Sequence, residues 1–311
     1  RNCLVGSEMC IRDRSKISRR NAIKTFALGS STLAFPKFNH MISTNSIKEP
    51  LKGNINQSVC QWCYGKMPLE KLAQEAKKLG LVGIDLIGAE GWDVLKKYDL
   101  ISTMCYGDIE GKSTRSLKNG WCDKRFHKDL ISHYKRHIKL VSDAGWKNLI
   151  CFSGNRRGMN DEEGLKNCIE GLSQIIPVAE ENGVILHMEL LNSKIDHSDY
   201  MCDNSNWGVA LCKALDSNNF KLLYDIYHMQ IMEGDLIHTI QENHKYYGHY
   251  HTAGVPGRNE LDKNQELYYP AIMKAIYETG FKGVVAQEFI PLDKTNGGIK
   301  SLRAAVELCD I

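Results

Sequence analysis

Residues 162–192 read EEGLKNCIEGLSQIIPVAEENGVILHMELLN and contain one complete helix-to-strand unit. The apolar residues of 162–181 recur at helical spacing, and Gly183 follows them as a residue that readily adopts the left-handed conformation that ends a helix. The next run, 184–190, is apolar and predicts a buried strand. Glu189 lies near the carboxyl end of this predicted strand.

The same unit recurs along the chain from residue 56 onward. Gly80, Gly145 and Gly280 end helical patterns in the same way as Gly183. The helical patterns span 69–79, 124–144, 162–181 and 269–279, and the strand-like runs span 57–60, 82–87, 100–106, 147–153, 184–190, 221–225, 246–251 and 283–289. Eight such units predict an α/β fold, a single (β/α)8 barrel over residues 51–311. An open doubly wound sheet would show a glycine-rich phosphate turn after its first strand, and the sequence has none there.

The composition of the chain is that of an ordinary globular protein. It has 311 residues, of which 42% are hydrophobic and 25% charged. A formal charge of +3 provides no sequence-wide attraction to nucleic acid or acidic membranes. This charge leads us to expect no nucleic-acid partner. The sequence also contains no run of eighteen apolar residues, so we expect no stable membrane insertion.

The first fifty residues are predicted to lie outside the fold. Residues 18–24, SRRNAIK, precede an uncharged stretch over 25–35, and residues 15–50 resemble a twin-arginine-type signal peptide and linker. This predicts an exported, periplasmic or envelope protein, whereas a basic surface helix would leave it cytoplasmic. Residues 1–14 contain SEMCIRDR, which resembles translated sequencing-adapter read-through and is interpreted as an artefact.

Residues of metal-ligand type recur near the carboxyl ends of the last four predicted strands. They are Glu189, Asp225, His251 and Glu288. Each lies in an apolar run, where an unpaired buried charge would be costly, so a shared cation explains all four together. The ligand set suits Mn²⁺ or Mg²⁺ first, with Co²⁺ or Zn²⁺ also compatible. Taken singly, each residue could equally be a surface charge or part of a buried salt bridge.

Two of these carboxylates also suit proton transfer. Glu189 and Glu288 are the candidates, because one carboxylate can remove a proton next to a carbonyl while the other returns it to the neighbouring carbon. The cation would stabilise the enediolate between the two steps. Strand alternation places His187 and His249 deeper on the same faces as Glu189 and His251, where we expect them to orient ligands or to be satisfied core residues.

Further residues are candidates for contact with a substrate. Arg258, in the loop after strand seven, could hold a carboxylate or phosphate through two parallel hydrogen bonds, or be an exposed loop residue. His228 could bind a substrate hydroxyl, and the rings of Trp62 and Tyr64, which follow strand one, could line a pocket. Cys60 and Cys63 have the spacing of a redox pair or half a zinc site, but no second pair supports that interpretation.

Five strings resemble the hydroxypyruvate isomerase branch of the xylose-isomerase-like TIM barrel superfamily. YDIYHMQIMEG at 224–234 is the most specific, and the others are FSGNR at 152–156, MELLNSKIDH at 188–197, GHYHTAGVPGRNE at 248–260 and AQEFIP at 286–291. The resemblance implies an isomerase that interconverts hydroxypyruvate and tartronate semialdehyde. It also implies that Glu189 and Glu288 are acid/base residues and ligands, and that Asp225 is a ligand. His228 and Arg258 would contact substrate, with Arg258 at its carboxylate.

At two positions the chain departs from that branch. The position of His251 is often glutamine in hydroxypyruvate isomerases and histidine in keto-sugar 3-epimerases, and Gly254 stands where the isomerase branch is expected to carry an acidic residue. A keto-sugar 3-epimerase or other sugar isomerase is therefore the alternative, and the expected partner is a small hydroxy-keto acid or ketose. A metal-dependent endonuclease would need a basic face, and a barrel that only binds sugars would have no use for the acid/base pair. The sequence leaves open whether the chain forms a homo-oligomer.

Overall fold

Eight parallel strands form a closed barrel in the computed structural model, which describes residues 51–106 and 117–311. The strands follow one another around the barrel in chain order, and the last pairs with the first. The predicted (β/α)8 barrel is thereby confirmed, whereas the artefact and signal-peptide predictions for 1–14 and 15–50 fall outside the described residues. The strands are β1 Asn56–Cys60, β2 Gly83–Ile87, β3 Ile101–Cys105, β4 Asn148–Cys151, β5 Ile185–Glu189, β6 Phe220–Asp225, β7 Tyr247–Thr252 and β8 Val284–Gln287.

Helices alternate with the strands and cover the outside of the barrel. They are α1 Leu69–Lys78, α2 Trp92–Lys97, α3 His127–Asp143, α4 Asp161–Leu172, α5 Ile176–Glu181, α6 Ser205–Leu215, α7 Ile226–Met232, α8 Leu236–Asn243, α9 Tyr269–Glu278 and α10 Ile299–Cys309. Short 3₁₀ turns lie at Gln61–Tyr64, Ala89–Gly91, Lys124–Phe126, His244–Tyr246 and Thr295–Gly298. Within the described ranges, none of the helices combines the length and apolarity needed to cross a membrane.

The predicted helix over 162–181 is two helices in the structure. The chain leaves α4 after Leu172 and starts α5 at Ile176, with Pro177 in the first turn of α5. Proline has no N–H to donate and is tolerated only at the start of a helix, so it cannot lie inside one long helix here. The predicted helix over 124–144 likewise begins with a 3₁₀ turn before α3.

The glycines that punctuate the repeat adopt the expected conformation. Gly80, Gly145, Gly183 and Gly280 have φ values of 78°, 84°, 63° and 79°. Positive φ costs a residue with a Cβ free energy that glycine does not incur. These positions therefore end α1, α3, α5 and α9 and turn the chain into the next strand.

The loop after β7 is closed by backbone hydrogen bonds around Gly254. Gly254 N donates to Asn259 O at 2.9 Å, and Arg258 N donates to Gly254 O at 2.9 Å. A Cβ on Gly254 would lie 2.2 Å from Glu260 O. In this conformation the loop has no room for a side chain at position 254. This accounts for the glycine, although the resemblance to the isomerase branch leads us to expect an acidic residue here.

The substitution Gly254→Ala should therefore destabilise the protein by about 1–3 kcal/mol, because the loop must open to admit the methyl group. Thermal unfolding would show a fall in Tm of a few degrees, at about 2–4 °C per kcal/mol. Gly65→Ala is the matched control and should leave Tm nearly unchanged, since position 65 has φ −57° and the atom nearest to a Cβ there would be Trp62 O at 3.3 Å. A Gly254→Ala protein as stable as the parent chain would contradict the steric argument.

Candidate active site

Four acidic or imidazole side chains converge at one rim of the barrel. Glu189 ends β5, Asp225 ends β6, His251 lies in β7, and Glu288 directly follows β8. One ligand atom from each lies within 4.8 Å of the others, and their residues are only 0–5% exposed. Parallel strands present their carboxyl ends at the same rim, which explains why residues far apart in sequence meet here.

His251 stands at the centre of this cluster. Its Nδ1 lies 2.8 Å from Glu288 Oε2 and 3.4 Å from Glu189 Oε1, while its Nε2 lies 3.1 Å from Asp85 Oδ2. Nδ1 is buried and has no hydrogen bond of acceptable geometry within the described chain. Three carboxylates and one unpaired imidazole nitrogen are a donor set that fits a divalent cation.

The cluster shifts the ionisation of its own members. Burial raises the pKa of Asp225 to about 8, although Arg258 acts to lower it. Burial also acts to raise the pKa of Glu288, but the charges of His251 and Arg258 hold that pKa well below its usual range. Burial would lower the pKa of His251, and the Glu288 carboxylate raises it well above the ordinary value. A proton and a cation therefore compete for the same nitrogen of His251.

Asp85 in β2 is a site residue that sequence reasoning missed. It is fully buried, and its Oδ2 accepts hydrogen bonds from His251 Nε2 and from His249 Nε2, the latter at 2.6 Å. Its Oδ1 accepts from Ser58 Oγ at 2.7 Å and from Thr103 Oγ1. The signal in the sequence was a carboxylate inside the apolar run GIDLI. Asp85 lies in the middle of that run, whereas the predicted ligands lie at strand ends.

The two deeper histidines occupy different environments. His249 shares the Asp85 carboxylate with His251 and is thereby connected to the cluster. His187 Nε2 instead lies 3.1 Å from Asn148 Oδ1, away from the four clustered side chains. Of these two histidines, only His249 hydrogen-bonds to Asp85, the carboxylate that also contacts the candidate ligand His251.

Arg258 reaches directly into the cluster. Its Nη2 donates to Asp225 Oδ2 at 3.3 Å and also to Glu288 Oε2. The guanidinium lies between two aromatic rings, 5.2 Å from the centroids of Trp62 and of Tyr227. Charge pairing and cation–π contact together fix this side chain in a mostly buried position.

His228 lies behind Arg258 and is 0% exposed, so it does not contribute to the cavity wall. Burial lowers its pKa well below the ordinary value, and the charge of Arg258 adds to this effect. The neutral ring has a single N–H proton. His228 Nε2 lies 2.9 Å from Arg258 Nη1, and Nδ1 lies 2.6 Å from Asn192 Nδ2.

Asn192 determines which ring nitrogen of His228 holds the proton. Its Oδ1 accepts from the backbone N–H groups of Ile195 and Asp196, so its Nδ2 faces His228 as a donor. His228 Nδ1 must then accept, which places the ring proton on Nε2. The N–H at Nε2 and the donor Nη1 of Arg258 then lie 2.9 Å apart with no acceptor between them, so this contact is not a hydrogen bond, and an acceptor placed next to Nη1 would stabilise it.

A cavity of about 650 Å³ opens above the cluster. Its wall includes Trp62, Phe152, Glu189, Arg258 and Glu288. The indole Nε1 of Trp62 donates to Glu288 Oε1 at 2.7 Å, and the ring is 42% exposed. Trp62 therefore lies in the cavity wall, where an aromatic ring was predicted.

Tyr64 does not line this cavity, contrary to the expectation that it contacts substrate. It is 4% exposed and belongs to the hydrophobic core. The 3₁₀ turn Gln61–Tyr64 explains the difference, because side chains two positions apart in a three-residue turn point in different directions.

The cysteines of the described chain are all free thiols. Cys60 Sγ lies 3.9 Å from His251 Nε2, and burial raises the pKa of both Cys60 and Cys63 well above the usual range. Protonated thiols are poor nucleophiles and poor metal ligands. Cys60 lies in a group of possible ligands with His251 and Glu288, but Cys63 does not, so the described chain does not bring the two cysteines together at one metal or redox site.

Fold and site together define a (β/α)8 barrel with a candidate cation centre at its rim. The family model described as xylose isomerase-like TIM barrel matches residues 64–305, and the chain belongs to that family.

Two curated relatives are similar to part of the chain. A putative hydroxypyruvate isomerase from Homo sapiens is 31% identical over 136 residues, covering 44% of this chain and 49% of its own length. A 2-oxo-tetronate isomerase from Cupriavidus necator is 32% identical over 135 residues, covering 43% and 51%. The chain therefore spans about half the length of these curated relatives.

A solved structure shares the fold over most of the chain. The D-psicose 3-epimerase of Clostridium cellulolyticum H10, crystallised with D-tagatose, superimposes with a TM-score of 0.63 at 19% identity. The match covers 82% of this chain and 94% of that one.

Neutralising one member of the cluster should weaken cation binding. We expect Glu189→Gln and Asp225→Asn each to raise the Kd for Mn²⁺ by at least about tenfold, since groups that only orient ligands already change affinity by about 10–100-fold. Isothermal titration calorimetry measures the change. Glu90→Gln is the matched control, because Glu90 lines the same cavity outside the cluster. Equal Kd values for all three variants and the parent chain would disprove a cation site here.

Proposed function

We propose that the chain is a metal-assisted isomerase of the aldose–ketose type, acting on a small hydroxy-keto acid or ketose. The first candidate reaction interconverts hydroxypyruvate and tartronate semialdehyde. The observation that supports it is the pair Glu189 and Glu288, which face one imidazole nitrogen at 3.4 and 2.8 Å. The names of the curated relatives, hydroxypyruvate isomerase and 2-oxo-tetronate isomerase, agree with this reaction class.

The proposed step is a proton shift between adjacent carbons. One glutamate removes a proton from the hydroxymethyl carbon of hydroxypyruvate, and the C–H electrons form a carbon–carbon double bond while the carbonyl oxygen takes the charge. The other glutamate delivers a proton to the former carbonyl carbon, and the hydroxyl proton passes from one oxygen to the other. Atoms and charge balance without an oxidant or reductant.

Glu288 is the better candidate for the base. His251 and Arg258 hold the pKa of Glu288 low in spite of its burial, so this carboxylate carries the negative charge that a base needs, while the same two positive charges reduce its proton affinity. The hydrogen bond from Trp62 fixes the other oxygen of the same carboxylate. Glu189, on the opposite side of His251 Nδ1, would then return the proton.

Mn²⁺ or Mg²⁺ is the first choice for the cation, with Co²⁺ or Zn²⁺ as alternatives, because three oxygen ligands and one nitrogen ligand suit all of these ions. When bound by Glu189, Asp225, His251 and Glu288, it would supply positive charge that stabilises the enediolate.

Arg258 supports an acidic substrate. Its guanidinium lines the cavity, and its Nη1 faces the N–H of His228 and needs another acceptor. A substrate carboxylate is such an acceptor, and it also adds negative charge next to the arginine. This arrangement favours a keto acid over a neutral sugar.

A keto-sugar 3-epimerase is the second candidate, and two observations favour it. His251 stands at a position where the resemblance implies histidine in that branch, and the cavity of about 650 Å³ has room for more than a three-carbon acid. An epimerase would return the proton to the carbon that lost it, on the opposite face. The same two glutamates could serve either reaction.

Deuterium exchange would test the proposal and separate the two candidates. The purified chain with Mn²⁺ or Mg²⁺ in deuterated water should replace the C–H proton of hydroxypyruvate, and proton NMR would follow loss of that signal together with formation of the aldehyde product. Exchange at the third carbon of a ketose with inversion there would indicate the epimerase instead. Glu288→Gln should slow exchange by about 10²–10⁴-fold.

Asp143→Asn, an exposed carboxylate of α3, is the control for this experiment and should exchange at the parental rate. Absence of exchange with every hydroxy-keto acid and ketose tested, in protein that binds the cation, would refute the proposed activity.

Substitution of Arg258 tests recognition of a carboxylate. Because Arg258 also contacts Asp225 and Glu288, its loss should reduce turnover of every substrate, so the informative quantity is a ratio. In Arg258→Lys, the ratio of kcat/KM for hydroxypyruvate to that for a neutral ketose should fall by about 10–100-fold, since a hydrogen bond to a charged group contributes about 1.5–3 kcal/mol. Arg125→Ala, at an exposed arginine, is the control. An unchanged ratio would argue for a neutral substrate.

A further inference from the structure

We propose that Asp85 is a positioning residue that fixes the ring proton of His251 on Nε2 and so leaves Nδ1 free to bind the cation. The inference rests on the cation site of the proposed function and adds a residue from the opposite half of the barrel. Asp85 itself would touch neither substrate nor cation.

The carboxylate of Asp85 has no accessible surface and is fully engaged. Ser58 in β1 and Thr103 in β3 donate to Oδ1, and His249 and His251, both in β7, approach Oδ2. An ionised carboxylate can only accept hydrogen bonds. Both imidazoles must therefore present an N–H to Asp85.

This requirement determines the tautomer of His251. Once a cation displaces the proton from Nδ1, the imidazole is neutral and has one N–H, and the proton held at Nε2 by Asp85 leaves the lone pair of Nδ1 for the cation. That nitrogen is the one that faces Glu189 and Glu288. A carboxylate behind a ligating histidine also increases the basicity of the ligand and restrains the orientation of the ring.

The hydrogen bonds argue against a second cation site at Asp85 itself. Asp85, His249 and His251 could together offer three ligand atoms within 4.8 Å. However, both histidines direct Nε2 at the same oxygen of Asp85, at 2.6 and 3.1 Å, so hydrogen bonds already occupy that oxygen. The group at Glu189, Asp225 and Glu288 has three carboxylates for one cation, whereas Asp85 provides one carboxylate that is already satisfied by four donors.

The test uses Asp85→Asn and Asp85→Ala in the full chain. The expected result is a Kd for Mn²⁺ weakened by about 10–100-fold in Asp85→Ala, with Asp85→Asn intermediate. The asparagine can still turn its carbonyl oxygen towards the imidazoles because the hydroxyls of Ser58 and Thr103 can accept from its amide, so it removes the charge with less loss of geometry. Two variants keep the test valid if Asp85→Ala does not fold.

A spectroscopic readout separates positioning from general stability. In histidine-labelled protein saturated with Zn²⁺, long-range proton–nitrogen NMR should show His251 protonated at Nε2 in the parent chain, and in Asp85→Ala the Nε2–H resonance, which has lost its carboxylate acceptor, should move upfield and exchange faster with water. Asn167→Leu is the matched control, because it removes a buried hydrogen bond to Cys122 O of 2.8 Å far from the cluster. It should lower Tm while leaving the Mn²⁺ affinity and the tautomer unchanged.

Three results would overturn the proposal: protonation of His251 at Nδ1 in the Zn²⁺-saturated parent chain, parental affinity in folded Asp85→Ala, or an equal loss of affinity in Asn167→Leu. None of these measurements depends on turnover. A chain that is inactive towards every substrate would refute the proposed reaction and leave the role of Asp85 to be judged on its own data.

Discussion

Repulsion between three buried carboxylates is the constraint on which the rest of the structure depends. Glu189, Asp225 and Glu288 lie within 4.8 Å of one another around His251, in a part of the barrel almost closed to water. Such a cluster is stable only where positive charge is held next to it. The guanidinium of Arg258 supplies some of that charge, and the loop after β7, which is closed over Gly254, positions the guanidinium.

The fold was largely predictable because it depends on local and periodic features. Left-handed glycines, amphipathic helices and apolar strands each leave a signal within a few residues, and eight repeats of that signal define one barrel. The error over 162–181 arose because the helical period continues across the break between α4 and α5. Pro177 was the local evidence for the interruption, and its preference for the first turn of a helix explains it.

The site was predictable only where strand ends determine position. Glu189, Asp225, His251 and Glu288 meet because parallel strands end at one rim, a rule that needs no coordinates. Asp85 escaped notice because its role depends on which inward side chains face each other across the barrel. The direction of the Tyr64 ring depends on a 3₁₀ turn that the sequence pattern did not distinguish from a loop. Protonation of Glu288 was equally undecidable, since burial and neighbouring charges act on it in opposite directions.

The hydrogen bond between Asp85 and His251 has a consequence for how the barrel can be divided. All four candidate ligands come from strands β5 to β8 or directly follow them, so a fragment beginning after β4 would retain the complete ligand set. The same fragment would lack β2 and with it the carboxylate that orients His251. The C-terminal half-barrel would therefore carry every candidate ligand but leave the imidazole of one of them without its hydrogen-bond partner, so the candidate site depends on both halves of the barrel.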